Sequence, residues 1–504
     1  MNLFPDREKD YKSNKNVSNK IFGNRFHVDQ SLYEYLIEFL LIFASSKKIE
    51  KNEYVGKLRF HHKNEEFEYY AETMMGLRRF IFYDASKKDK SVKLDEEAYQ
   101  LLIDSLKDKM DLGNDNDYDK NILALQDLLR GFAVVLKKRT WCAQQILPIC
   151  PELIFCEAMP NQKKRKTLKD CSDFRIDSEF EFAQRNFLAR GGEIYYLHIL
   201  HALYNDNDNK RLVILNHLLV NLLTNQSEKI SKITRFIQDI WYEQIDADKE
   251  NRKDLYQKYT LGYIPELAYI DCGNKSVNEL ISFLSSDFQQ IKKIDTLAKG
   301  IMFQIMRMMY HAVCYKLQIK RKPWIMDMTN NTSKTIKQIA AKNYKDIEND
   351  FSTCINNTAK EIAKEKEYQD DDLIKIIRAG QKDSYDIFKA KGKEMRCIIP
   401  VSGTFERFTL SEDLLRFIVL SLVEPEEKIT YDMFLDRLYG NYGIVIGAVQ
   451  YEKAIETLNE DQLAIKNCMF ENQKCFQDFL RSTGFLRELS DSTSIVYNPY
   501  KSIK

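Results

Sequence analysis

Apolar side chains recur at spacings of three and four along most of this chain, and that periodicity limits the fold more than any other feature of the sequence. Leu32, Leu36, Phe39, Leu40 and Phe43 draw one apolar stripe along a helix, with Asp29 placed as its N-cap. The same spacing predicts helices over 94–110, 118–138, 178–189, 193–204, 209–224, 227–246, 276–285, 288–318 and 333–366. Gly113, Pro148 with Pro151, Gly191-Gly192, the Asn/Asp run at 205–209, and Pro323 separate them. Turn formers are scarce: 17 Gly and 9 Pro in 504 residues are too few for a sandwich or barrel of many short strands. With 44% hydrophobic residues a sizeable core is available. The expected class is mainly α, a multi-domain helical protein with a C-terminal winged helix-turn-helix-like module.

Composition shifts along the chain predict four parts: a flexible Asn/Lys/Ser-rich arm over 1–25, an N-terminal helical domain over 26–225, a central helical domain with a basic segment over 226–400, and a winged-helix-like domain over 401–504. Residues 54–83 admit a strand in the alternation at 58–61 and a helix at 67–77. Met302, Met306, Met308 and Met309 suit either an adaptable binding surface or an irregular core, and the core is favoured because the stretch is apolar nearly all round. The first twenty residues lack the apolar run of a secretory signal. The longest apolar stretches, 32–44 and 212–223, are too short to span a bilayer. Ten cysteines without C-x-x-C spacing read as reduced core thiols. A cytoplasmic location with no membrane partner is the expectation.

The C-terminal hundred residues predict a helix from a capping box at Thr409 and Glu412, a second helix from Thr430 to Gly440, and a third over 471–483. Two short alternating strands follow around a Ser/Asp/Thr turn. This is the order of a winged helix. A DNA reader of that kind needs cations on and around its third helix. From Thr404 onward, however, 11 Lys and Arg face 16 Asp and Glu, a net of about −5. The module is therefore expected to be a protein-docking or core-packing unit rather than a groove reader.

Positive charge gathers elsewhere. Lys316, Lys320, Arg321, Lys322, Lys334, Lys337, Lys342 and Lys345 stand against Asp327 alone over 311–345, a net of about +7, with Tyr315, Trp324 and Tyr344 interleaved as possible stacking platforms. A second cluster is Lys137-Lys138-Arg139 with Lys163, Lys164, Arg165, Lys166 and Lys169. A third is Lys382, Lys389, Lys391, Lys393 and Arg396, diluted by Asp383, Asp386 and Glu394. Each run taken alone is most simply a solvated face, whereas the first two sharing a face would make a phosphate-binding stripe.

No kinase signature, Ser nucleophile elbow, Walker loop or dinucleotide fingerprint is found, so no enzyme class has a positive case and none is excluded; a non-enzymatic chain without a cofactor is the favoured expectation. Arg190, Gly191 and Gly192 form a candidate anion site, because a Gly-Gly helix start leaves backbone N–H groups free beside a positive charge. The commoner explanation of such a sequence is a cap and tight turn. Glu193, His198 and His201 are the available metal candidates, and they do not form H-E-x-x-H, so packed histidines are favoured. Cys142, Cys150, Cys156 and Cys171 have gaps unlike those of zinc ribbons.

Two stretches carry a likeness to known proteins: RNFLARGGEIYYLHIL at 185–200, and IFKAKGKEMRCIIP, RFTLSEDLLRFIVLSLV and FLDRLYGNYGIVIG within 386–447. Together they resemble accessory proteins of bacterial phage-defence islands, those of methylation-associated and phosphorothioation-dependent restriction systems. The resemblance covers about a sixth of the chain and brings no catalytic residue with it. It implies an antiviral-defence, restriction-modification associated role beside ATPases, nucleases or methyltransferases. The function expected from residues and resemblance together is a nucleic-acid-binding and partner-docking subunit of such a complex, with DNA and other protein subunits as partners. The alternatives are a metal-dependent nuclease or hydrolase, and a purely protein-binding scaffold.

Overall fold

The computed structural model describes residues 2–26, 30–72, 74–86, 93–110, 117–131, 133–135, 144–154, 191–207, 209–244, 256–366, 370–455, 463–490 and 493–503. It is mainly helical, with only small sheets. Contacts divide the chain into two interleaved units, one of Met1–Leu32, Ile194–Leu218 and Gly262–Lys504, the other of Tyr33–Glu193 and Leu219–Leu261. The division does not follow the sequential blocks expected from composition.

The larger unit is organised around the helix Gln290–Leu317, 28 residues long and ended by Gln318 in the left-handed conformation. It packs against helices Glu266–Ser285, Lys334–Lys366 and Glu412–Leu422. Met302, Met306, Met308 and Met309 are all buried in this contact, so methionine fills an irregular core rather than an open surface. Gly300 is required there by close approach: a Cβ on it would lie 2.2 Å from the Phe417 ring. Three helices sharing one core need their polar groups satisfied internally, and the central group is Arg307. Its guanidinium donates to Glu279 Oε2 at 2.8 Å and Oε1 at 3.0 Å, with both side chains no more than 3% exposed. Ser276 Oγ and the Asn441 carbonyl accept further bonds from it at 2.7 and 3.1 Å.

The expected flexible arm is instead part of this unit. Leu3–Phe4 pairs antiparallel with Ile264–Pro265, and the short helix Val17–Phe22 buries Val17, Ile21 and Phe22. Asn16 caps it by accepting from the Asn19 amide. Five buried positions in six residues outweigh a polar composition.

The C-terminal part of the unit runs helix Glu412–Leu422, strand Lys428–Thr430, helices Tyr431–Tyr442, Ala448–Ile455 and Leu463–Ser482, then strands Leu486–Ser490 and Thr493–Tyr497. The final strand lies in the middle of an antiparallel sheet, between the other two. The expected capping box is not formed: Ser411 is the N-cap residue, and Thr409 Oγ1 donates instead to the Asp327 carbonyl at 2.7 Å. Thr430 does cap its helix, accepting from the Met433 amide, and that helix continues past Gly440 to Gly443.

In the second unit, helix Leu32–Ala44 (all but its first residue) joins Met75–Ser86, Lys93–Lys109, Tyr118–Arg130 and Glu228–Gln244. The predicted N-cap Asp29 and the predicted helix over 178–189 lie outside the described residues. The ambiguous stretch resolves as strand Glu68–Glu72, paired antiparallel with Tyr256–Thr260, and a helix beginning at Met75, so both sequence placements were shifted. The helix expected to run to 138 stops at Arg130, and Ala133–Val135 pairs with Gln144–Ile146. Glu72 ties the unit together by accepting from Arg235 Nη1 at 2.8 Å, Tyr242 OH at 2.9 Å and Lys57 Nζ at 3.2 Å.

Replacing Glu279 by Ala strands the Arg307 charge in the core, and the expected loss is about 3–5 kcal/mol of unfolding free energy. A double replacement, Glu279→Met with Arg307→Met, should cost clearly less, since it removes both charges together. Urea unfolding followed by circular dichroism measures both.

Candidate anion-binding pocket

Helix Glu266–Ser285 repeats every fourth residue along one face as Leu267, Asp271 and Lys275, and helix Gln290–Leu317 carries His311, Cys314 and Tyr315 near its C-terminal end. The chain leaves that second helix at Gln318 and turns back through Ile319, Lys320 and Arg321. These three pieces, with Asn441, line a pocket of about 600 Å³ within the larger unit. The two lysines and the arginine face one acid, Asp271, which leaves a net of about +2.

The cations here are held apart by their surroundings rather than neutralised. Arg321 donates from Nη1 to His311 Nε2 and has no carboxylate partner among the described residues. Lys275 Nζ donates to the Gly440 carbonyl at 2.7 Å. Burial, and then the neighbouring Arg307 guanidinium, push Arg321 below the ordinary arginine value. Burial followed by Arg321 and Arg307 does the same to Lys275. His311 is driven well down by burial, Arg321 and Arg307, so it is neutral and accepts from Arg321. Burial first, and then repulsion from the neighbouring guanidinium groups, disfavour the positive charge of all three groups. Burial raises Cys272 to about 11 and Cys314 to about 12, which keeps both as thiols and removes them as nucleophiles.

The other sequence-predicted cations divide sharply. Lys316 pairs with Glu361 at 2.8 Å and Lys322 with Asp350 at 2.7 Å. Lys345 pairs with Glu348 at 2.5 Å. Lys334 and Lys337 sit in the first turn of helix Lys334–Lys366. Trp324, expected as a stacking platform, is 4% exposed and stacks on Phe408 with ring centroids 4.7 Å apart, so neither a base nor a nucleotide can reach its face. Tyr344 is likewise buried, edge-to-face with Phe408 and accepting a hydrogen bond from Tyr385 OH at 2.9 Å. Tyr315 alone of the three aromatics is exposed, and it lines the pocket. Lys163, Lys164, Arg165, Lys166 and Arg190 lie outside the described residues, as do Cys142, Cys156 and Cys171.

Gly191 and Gly192 open the helix Gly191–Tyr204, and the anion on the Gly192 N–H is the protein's own. Glu38 Oε2 accepts from the Gly192 amide at 2.9 Å, and a Cβ at Gly192 would meet the Tyr35 carbonyl at 2.2 Å. The expected external anion site is therefore a packing device. Among the described residues no group of three or more His, Cys, Asp or Glu side chains could hold a metal. His198 Nε2 lies 3.0 Å from Ser276 Oγ, and His201 Nε2 lies 3.1 Å from Glu266 Oε1, so both serve the core. Burial, then Arg307, keeps His198 far below the usual imidazole value.

Comparison with protein-family models, with curated proteins and with solved structures finds no match to this chain.

Lys275, His311 and Asn441 were missed by the sequence reading. The one local signal was the fourfold spacing of Leu267, Asp271 and Lys275; the meeting of that face with residues 311–321 is a tertiary contact that spacing does not encode.

Two lysines of the third basic cluster share a carboxylate outside their own helix, and a third, Lys391, pairs with Glu394 within it. Lys389 and Lys393 both hydrogen-bond Glu406 Oε1, at 2.7 and 3.1 Å. Burial alone would raise that carboxyl, but the two ammonium groups outweigh it and hold it at about 2. A carboxyl depressed by folding stabilises above its unfolded value near 4.5 and loses that contribution as pH falls through about 2. The melting temperature should therefore decline over that window, and Glu406→Gln should flatten this part of the curve while lowering stability at neutral pH; differential scanning fluorimetry across pH checks it.

Proposed function

We propose that this chain is a non-enzymatic subunit that binds nucleic acid through phosphate contacts at the pocket and docks a protein partner through its acidic C-terminal module. One observation carries the reading: Lys320 and Arg321, two of the cations expected to hold phosphate, line a single pocket with Lys275, and Arg321 has no carboxylate to satisfy it among the described residues. A phosphate oxygen supplies what that guanidinium lacks, in a geometry Arg binds well. The resemblance to phage-defence accessory proteins favours DNA as the polyanion and a restriction-type complex as the setting, in the cytoplasm.

The C-terminal module is read as a winged helix, supported by its helix–strand–helix order, its closing hairpin and the central place of the last strand. Its net charge of about −5 and the state of its last helix favour docking over groove reading. Asn472, Phe476 and Leu480 of that helix are buried, and Arg481 is tied to Asp478 and Glu488.

Binding to a single-stranded DNA of mixed sequence should weaken linearly in log–log form as salt rises. Lys320→Glu should weaken it across all sequences and reduce the slope by about 1, the value for one lost phosphate contact. Lys345→Gln, at a lysine already paired with Glu348, should leave the slope unchanged. Fluorescence anisotropy against salt makes the measurement. Absence of binding even at low salt would overturn the reading and leave a protein-binding scaffold.

A further inference from the structure

The pocket lining is of two chemical kinds. Lys275, Lys320, Arg321 and His311 are polar or cationic, while Leu267, Tyr315 and Ile319 bring apolar surface. These last three are exposed, at 40%, 37% and 38%. A plain ion site has no use for the apolar residues, and a hydrophobic site has no use for the cations. The ligand that satisfies both is an anionic head on a flat or apolar body.

Charge and size narrow it further. The net of about +2 from three cations and Asp271 matches a phosphate monoester, which carries about −1.5 to −2 at neutral pH, better than the single charge of an internal phosphodiester. A volume of about 600 Å³ falls in the range of small-ligand sites and admits a whole nucleotide. Arg321 is half-buried and held by His311, so the group that reaches it must enter a concavity. A phosphate in mid-strand is flanked by chain on both sides and is presented convexly; a terminal one is free to enter.

We propose that the pocket binds the terminal phosphate monoester of a nucleotide, with the phosphate on Arg321, Lys320 and Lys275 and the base against Tyr315, Leu267 and Ile319. This deepens the preceding reading and rests on it in naming a strand end as the source. The His311 contact fixes the guanidinium in the pocket before the ligand arrives, which lowers the ordering cost of binding. Tyr315 supplies the stacking face that buried Trp324 does not.

The test compares one short single-stranded DNA bearing a 5′-phosphate with the same strand bearing a 5′-hydroxyl, beside AMP and adenosine as competitors, all by fluorescence anisotropy on the full chain. The phosphorylated strand should bind about tenfold more tightly, the worth of one charge-assisted contact set. AMP should compete and adenosine should not. Arg321→Gln should abolish the preference; because that side chain is half-buried, circular dichroism must show it folded, and Lys320→Gln, at an exposed residue, should reduce the preference independently. Equal affinity for the two strands, with salt-dependent binding intact, overturns the terminal-phosphate assignment and leaves nucleic-acid binding standing. AMP binding that needs Arg321, with no strand bound at all, supports the monoester pocket, assigns its ligand to the free nucleotide and overturns the nucleic-acid function. Failure of AMP and of both strands to bind overturns both.

Discussion

The buried pair of Arg307 with Glu279 is the constraint on which the larger unit depends. Two charges taken from water are costly, and only close geometry with further hydrogen bonds offsets that cost. Here the pair is completed by Ser276, Gln304 and the Asn441 carbonyl. The network fixes the register of helix Glu266–Ser285 against Gln290–Leu317, because a slip by one residue on either helix would separate the partners. It also sets the pocket's electrostatics, since Arg307 is among the groups that push Lys275, His311 and Arg321 away from positive charge. One buried interaction therefore both positions the pocket walls and, after burial, adds to the repulsion felt by their cations.

The charges of this near-neutral chain are sorted by tertiary structure rather than by sequence. Asp327, the single acid in the basic segment 311–345, is buried against Arg407 at 2.6 Å, and Thr329 supports it with bonds from both its amide and its hydroxyl. That pairing removes an acid from the basic segment and a base from the acidic module. Pairings of Lys316, Lys322 and Lys345 work in the other direction. After both, the positive charge left to solvent in this segment is concentrated at fewer points than the count of +7 implied, and the pocket holds two of them.

Helices were legible because their signal is local. The 28-residue and 33-residue helices of the larger unit were read within about two residues of their ends, since a long apolar stripe outweighs any single residue. The helix Glu266–Ser285 was read ten residues short, because Pro265 marks its start and no oxygen-bearing side chain caps it. The arm was misread for a reason of scale: the six residues of helix Val17–Phe22 make too short a window for periodicity, and the strand that pairs with Leu3–Phe4 lies some 260 residues away. Trp324 was misread because an aromatic beside lysines looks the same in sequence whether its faces meet solvent or Phe303, Phe388 and Phe408. For the pocket, Lys320, Arg321 and Tyr315 were visible as a basic segment with an aromatic; their joining to Lys275 was not.

A pocket of this kind is kept at a cost to the fold. Burying Arg321 beside Arg307 without a carboxylate is unfavourable, and a sequence selected for stability alone would place Asp or Glu at one of the neighbouring positions. Lys322, the next residue, shows that the chain does this readily, with Asp350 at 2.7 Å. Adjacent side chains thus differ, Lys322 being paired with a carboxylate and Arg321 bonded to a neutral imidazole, and the proposed anion site rests on that contrast. On the proposed function, an anion at Arg321 would add a counter-charge beside Arg307, so its binding energy would include relief of that repulsion, and occupancy would stabilise the unit by mass action.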